Sequence, residues 1–239
     1  MKNQYLADIG DYGKYGLLRF LASEGIRIGI NWYLTKDDVT NDGKFKGYLD
    51  RPIEHWMCDE ELFEELKELK GTTIDAVKEK ALIPGAVYYS KVLDTAGLLP
   101  QIRSNAREKW FSESLDVLQS AQLIFADPDN GISYRITKRM KSSEKYILPD
   151  EVKAYYDQDK DVVFYCHKGR RSDAAWLKVR TDLKAYLGNA CLLTLTYHKG
   201  TQRSYIFALH PERVSKYFRL LRSFTDSEWR KVFDLEPVV

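Results

Sequence analysis

The chain has 239 residues, 44% hydrophobic and 30% charged, enough for one large domain or two small ones with a true apolar core. Its formal net charge of +2 decides neither for nor against a polyanionic partner, so any nucleic-acid contact has to rest on local basic patches. The three cysteines, Cys58, Cys166 and Cys191, are odd in number and far apart with no CxxC, which argues against a disulfide framework or a zinc site.

The N-terminal stretch has no apolar signal core, and no apolar run approaches the roughly 20 residues of a membrane helix. These features predict a soluble, cytoplasmic protein without a membrane partner. Residues 11–24 read as a first helix with Leu17, Leu18 and Leu21 on its core stripe and Gly25 as its stop. The preceding loop holds Asp8, Asp11 and Lys14 among glycines, either helix-capping or facing a ligand.

Residues 26–35 follow as a first strand that leads to Asn31 near its end. The polar stretch 35–50, with an Asn41-Asp42-Gly43 turn, is either a functional loop or a hairpin tip. A helical insertion spans about 50–85: an acidic helix with Leu62, Phe63, Leu66 and Leu69 inward, then a second helix. A short strand or turn at 85–95 and a helix at 102–120 come next.

The most informative stretch is 121–132, AQLIFADPDNGI. Its uniformly apolar start reads as a buried parallel strand, ended abruptly by Asp127-Pro128-Asp129-Asn130-Gly131. In open α/β sheets, ligands bind at the carboxyl ends of the strands, which makes Asp127, Asp129 and Asn130 candidate catalytic residues. The following stretch 133–145 concentrates Arg135, Lys138, Arg139, Lys141 and Lys145, either a solvated face or a phosphate contact beside the site.

A helix is predicted at 149–158. A strand at 161–167 places His167 at a second carboxyl end, and a helix at 168–188 carries Arg170 and Arg171 at its start. Two strands joined around Lys199-Gly200, with Arg203 beyond the turn, form an antiparallel hairpin over 190–211. Helices at 211–224 and over DSEWRKVF complete the chain. With no repeat or linker, residues 1–239 read as a single α/β domain: a Rossmann-like, mostly parallel sheet with helices on both faces, a C-terminal antiparallel hairpin and a helical insertion after the first strand.

That order resembles the Rossmann-like fold of S-adenosylmethionine-dependent methyltransferases. IFADPDNG stands where adenine-N6 methyltransferases carry a D/N-P-P-Y/F motif. Asp11 and Lys14 look like the short D-x-x-K segment near the start of the large-subunit ribosomal RNA adenine-N6 methyltransferases, and three-Cys-motif partner proteins share a similar layout. The resemblance implies S-adenosylmethionine as cofactor, faced by Asp11, Lys14, Asn31 and Asp42. It implies Asp127 orienting a target amine, and nucleic acid held by Arg135, Lys138, Arg139, Arg170, Arg171, Lys199 and Arg203. Two departures stand out. Asn31-Trp32-Tyr33-Leu34 replaces the family's glycine-rich turn, and Asp129-Asn130 replaces the second proline and the aromatic that stacks a flipped base.

Other chemistry remains open at this stage. Asp127 and Asp129 with His167 suit a Mg²⁺-dependent nuclease or phosphodiesterase. Asp129 with Glu151-Val152-Lys153 also matches a short nuclease pattern, although Pro149-Asp150 predicts that Glu151 opens a helix. A third option is a non-catalytic module that binds nucleic acid or a nucleotide.

Overall fold

The computed structural model describes residues 1–38, 45–51 and 58–236. Seven strands form one sheet: β1 (Ile28–Asn31), β2 (Val87–Tyr89), β3 (Leu123–Ala126), β4 (Asp161–Cys166), β5 (Cys191–Tyr197), β6 (Arg203–Leu209) and β7 (Phe233–Leu235). Their order is β2-β1-β3-β4-β6-β5-β7. The first four pair in parallel. β6 inserts antiparallel between β4 and β5, and β7 adds antiparallel outside β5. The result is the α/β class expected from the alternation of elements, with the predicted hairpin at the C-terminal end.

Seven α-helices accompany the sheet: α1 (Ile9–Ser23), α2 (Glu60–Glu68), α3 (Asp75–Glu79), α4 (Pro100–Val117), α5 (Pro149–Tyr156), α6 (Asp173–Leu187) and α7 (Pro211–Asp226). Side chains alternate across the strands, so each strand feeds two cores. Ile28, Ile30, Leu123, Phe125 and Val163 pack with α1, α2 and α7. Ile124, Ala126, Val162 and Phe164 pack with α4, α5 and α6.

α1 lies close to the hairpin because three of its residues lack a Cβ. A Cβ on Gly10 would fall 2.2 Å from the Arg203 guanidinium, one on Gly13 2.6 Å from the Tyr197 ring, and one on Gly16 2.1 Å from Trp229. The spacing of three puts these glycines on one helix face.

Some boundaries differ from expectation. α1 begins at Ile9, so Asp11 and Lys14 are helical and not in a preceding loop. The helix expected from residue 168 starts at Asp173, capped by the Ser172 hydroxyl, which leaves Arg170 and Arg171 in the turn before it. The last expected helix, DSEWRKVF, is a single 3-10 turn over Glu228–Lys231, after which the chain enters β7. In the insertion, the acidic α2 docks on α1, and Arg19 forms ion pairs with Asp59, Glu61 and Glu65.

Candidate functional site at the strand ends

Asp127 directly follows β3, and the chain then reverses through Pro128 to Gly131. Gly131 has φ +82°, and a Cβ there would lie 2.4 Å from Cys166 Sγ and 2.8 Å from its Cα. Only glycine fits, because the left-handed turn is pressed against the end of β4. The Asn130 N–H donates to the Lys145 carbonyl (2.9 Å) and the Ile147 N–H to the Gly131 carbonyl (3.0 Å), which fixes the turn to the later loop.

Strand parity decides which side chains meet. Residues 123, 125 and 127 share one face of β3, and 163, 165 and 167 one face of β4 and its extension; both face the α1 side. A cavity of about 490 Å³ opens there. Asp127, Asp129, Asn130 and His167 all line it, as do Asp11 and Lys14 from α1 and Arg203 from β6. Seven residues chosen from sequence thus converge, from four separate stretches.

The cavity is densely ion-paired. Lys14 Nζ lies 2.7 Å from both Asp11 Oδ1 and Asp127 Oδ2, all three side chains nearly buried. Asp8 caps α1, accepting from the Gly10 and Asp11 N–H groups, and its second oxygen receives Arg203 Nη2 at 2.9 Å. Asp11 also accepts from the Ala7 N–H at 2.8 Å. The Met1 nitrogen lies 2.7 Å from Asp129 Oδ1.

Burial pushes the Asp11 carboxyl up to about 6, the Lys14 charge holding it back and Asp8 adding to it. Burial works against the Lys14 ammonium, but the carboxylates of Asp11 and Asp127 outweigh it and raise its pKa. Burial also lowers the His167 pKa, with Arg203 and Arg171 adding to the effect against a backbone hydrogen bond at Gln202 and the Asp129 charge. The Tyr165 hydroxyl lies 2.5 Å from His167 Nε2.

Other predicted residues lie elsewhere. Asn31 occupies the opposite parity on β1 from Ile28 and Ile30, so its side chain enters the α4–α5 side, donating to the Tyr155 hydroxyl (3.1 Å) and accepting from the Tyr33 N–H (3.1 Å). Trp32 and Tyr33 are fully buried and close the end of β1. Asp42 lies outside the described residues. Arg170 and Arg171 are exposed and do not line the cavity, and Arg171 donates to the His167 carbonyl at 2.6 Å. Lys199 is not on the cavity wall, although its carbonyl accepts from Arg203 at 3.3 Å. Arg135 is exposed, while Lys138 and Arg139 line a separate groove.

Glu151 opens α5 and is not a site residue: it accepts from Arg107 Nε (2.7 Å) and Nη2 (2.8 Å) and from the Tyr33 hydroxyl (3.0 Å) in a buried network. Among the described residues no group of three or more His, Cys, Asp or Glu side chains is placed to hold a metal ion.

Sequence reasoning missed several cavity residues, among them Tyr5, Phe45, Tyr165 and Tyr205, while Lys145 of the basic stretch does reach the cavity wall. Tyr165 was recoverable, since it shares the strand face of His167. Phe45, 61% exposed on the cavity wall, arrives from a stretch that carries no pattern.

No protein-family model matches the chain, and no curated protein matches it. A solved structure, protein LPL1258 from Legionella pneumophila strain Philadelphia 1, described by the family model DUF519, is similar over 98% of this chain and 96% of its own, at 13% identity and a TM-score of 0.48. Likeness of that degree carries no functional information. No described helix is long and apolar enough to cross a membrane.

Proposed function

We propose that the chain is a nucleic-acid-directed enzyme of Rossmann-like methyltransferase type, transferring a methyl group to an exocyclic amine. The observation that carries this reading is the single cavity lined by Asp127, Asp129, Asn130, His167, Asp11 and Lys14 at the carboxyl ends of β3 and β4. Its volume is in the range of small-molecule and cofactor sites.

The donor set suits S-adenosylmethionine in its charge pattern. Lys145 suits a carboxylate and the Phe45 and Tyr5 rings a purine, while Asp8 and Asp11 would meet an ammonium and ribose hydroxyls beside their present partners Arg203 and Lys14. Because Trp32 and Tyr33 fill the end of β1, the ligand would lie over α1 and not in a glycine-rich turn. When bound, the cofactor supplies an electrophilic methyl group. The chain's own contribution is positional: Asp127 accepts an amine hydrogen, Lys14 fixes the carboxylate that does so, and Pro128 and Asn130 shape the wall beside it.

A metal-dependent hydrolase has weaker support. A dication at Asp127 and Asp129 would have to displace Lys14 and the Met1 nitrogen, each 2.7 Å from its carboxylate oxygen.

Thermal unfolding with S-adenosylmethionine, S-adenosylhomocysteine, Mg²⁺ and Mn²⁺, each alone, tests the reading. A ligand at 100 times its Kd stabilises by about 2.7 kcal/mol, a readable rise in midpoint. A rise with the adenosyl ligands supports methyl transfer. A rise with metal alone, or none at all, overturns it.

A further inference from the structure

A second concavity, of about 560 Å³, lies beyond the 130–147 segment whose other side walls the cavity. Lys138, Arg139, Tyr134, Tyr186 and the Ser133 and Thr137 side chains line it. Its shape is held from beneath. The Arg103 guanidinium, nearly buried, donates to the carbonyls of Thr95 (2.9 Å), Ala96 (3.2 Å), Leu98 and Arg139, tying the basic loop to the start of α4. Lys138 pairs with Glu108 at 3.2 Å, and Arg139 donates to Gln101 Oε1 at 3.0 Å.

Two partly exposed aromatic rings line this groove. Tyr134 is 40% exposed and Tyr186 43% exposed. Each is anchored by its hydroxyl, Tyr134 to the Val179 carbonyl (3.2 Å) and Tyr186 to Asp150. Anchored rings beside cations combine what single-stranded nucleic acid requires: planar faces for unpaired bases and positive charge for the backbone. A duplex offers no unstacked base for such rings.

The geometry points to this groove as a binding site for a single-stranded nucleic-acid segment, its bases stacked on Tyr134 and Tyr186 and its phosphates contacted by Lys138 and Arg139. Arg135, exposed on the same loop, adds to the basic field. The groove stands on its own residues. That the bound strand also presents a base to Asp127 rests on the methyl-transfer reading, the groove residues 133–139 lying in the same chain segment as Asn130 and Lys145 of the cavity wall.

The test is fluorescence anisotropy of the full chain, without cofactor, on a labelled purine-rich 12-mer as RNA, as DNA and as duplex. Single strands should bind at least tenfold tighter than duplex. Tyr134→Ala with Tyr186→Ala should weaken binding about five- to fifty-fold, while Tyr134→Phe with Tyr186→Phe should retain it. Lys138→Gln with Arg139→Gln should lower the slope of log affinity against log salt by about 0.7 per cation removed.

No binding by the wild type, equal binding of duplex, or full binding by the alanine pair at an unchanged unfolding midpoint overturns the groove. An adenosyl ligand that fails to shift the unfolding midpoint, alongside tyrosine-dependent strand binding, removes methyl transfer and leaves the groove standing.

Discussion

Lys14 and Asp127 are 113 residues apart in sequence and 2.7 Å apart in the fold. The helix that opens the chain is thereby fastened to the strand end that ends AQLIFAD. The Lys14 ammonium lies 5.2 Å from the centroid of the Tyr15 ring and 5.4 Å from that of Trp32, so the cation is walled by π faces as well as by carboxylates. An alanine at 127 would remove a functional acceptor and unpair a buried cation together. The informative substitution is therefore one that separates the two roles.

Asp127→Asn keeps the side-chain shape and one acceptor oxygen for Lys14, whereas Lys14→Met leaves two buried carboxylates without their cation. Lys14→Met should cost about 3–5 kcal/mol of stability, the usual penalty for breaking a buried pair. Asp127→Asn should cost less and still impair the reaction at the cavity. Urea unfolding of both variants, with methylation of single-stranded substrate by Asp127→Asn, checks this. An Asp127→Asn protein with wild-type turnover would remove the carboxylate from the chemistry.

Asp11 gives the fold a pH signature. Its carboxyl titrates near 3.8 when unfolded and at about 6 when folded, raised chiefly by burial. The folded state thus holds the proton more tightly, and this contribution to stability is complete below pH 3.8 and lost as the pH rises through 6. The loss amounts to about 3 kcal/mol. Asp11→Asn has no proton to lose and should flatten stability between pH 4 and 6.5. The comparison is of slopes, because the variant also takes one carboxylate from Lys14. Urea-derived stabilities of both proteins across that range decide it, and parallel curves would place the titration elsewhere.

Much of the sheet was legible from sequence because buried parallel strands are short apolar runs, and LIFA and DVVFYC have few other readings. The hairpin was legible because Lys199-Gly200 interrupts two such runs. Asp127, Asp129, Asn130 and His167 were candidates for the same reason, a polar residue just after an apolar run lying at the sheet edge where ligands bind, and the fold brings them to one cavity. Asn31 was misplaced because its position at a strand end was considered without its parity, and parity sends it to the other face. Phe45 was out of reach, because a loop that folds back onto a site leaves no periodic trace. Glu151-Val152-Lys153 shows why a short motif needs its context: Pro149-Asp150 pointed to a helix start, and the Glu151 carboxylate there accepts from Arg107.

The turn that carries Asp129 and Asn130 should depend on the missing side chain at 131. Gly131→Ala puts a Cβ at φ +82° and against Cys166, costing about 1–3 kcal/mol from backbone strain alone. The backbone must also shift, because Cys166 Cα is only 2.8 Å from the added atom. Cys166→Ala should therefore fail to rescue the variant, since the Cα and Cβ atoms remain. Gly131→Ala should lower the unfolding midpoint and weaken ligand binding at the cavity together, as read by thermal unfolding with and without S-adenosylhomocysteine. Rescue by Cys166→Ala would show that only the sulfur is in the way.

Glu151 and Arg107 provide the opposite dissociation. Their carboxylate and guanidinium meet in two hydrogen bonds, both side chains almost wholly buried, and the remaining guanidinium nitrogen donates to the Ser143 carbonyl at 2.6 Å. This pair lies among α4, α5 and the 141–146 segment, on the sheet face away from the cavity. Glu151→Gln retains the volume but leaves Arg107 without its counter-charge, and should destabilise the fold by about 3–5 kcal/mol. Below its lowered midpoint it should still bind the cavity ligand with near wild-type affinity, because the Glu151 carboxylate touches no cavity residue and Arg107 keeps its carbonyl partners Ser143 and Tyr146. Isothermal titration at 15 °C, where the variant remains folded, separates the two effects. Loss of binding there, in a protein shown folded by circular dichroism, would return Glu151 to the functional site and revive the nuclease pattern it spells in sequence.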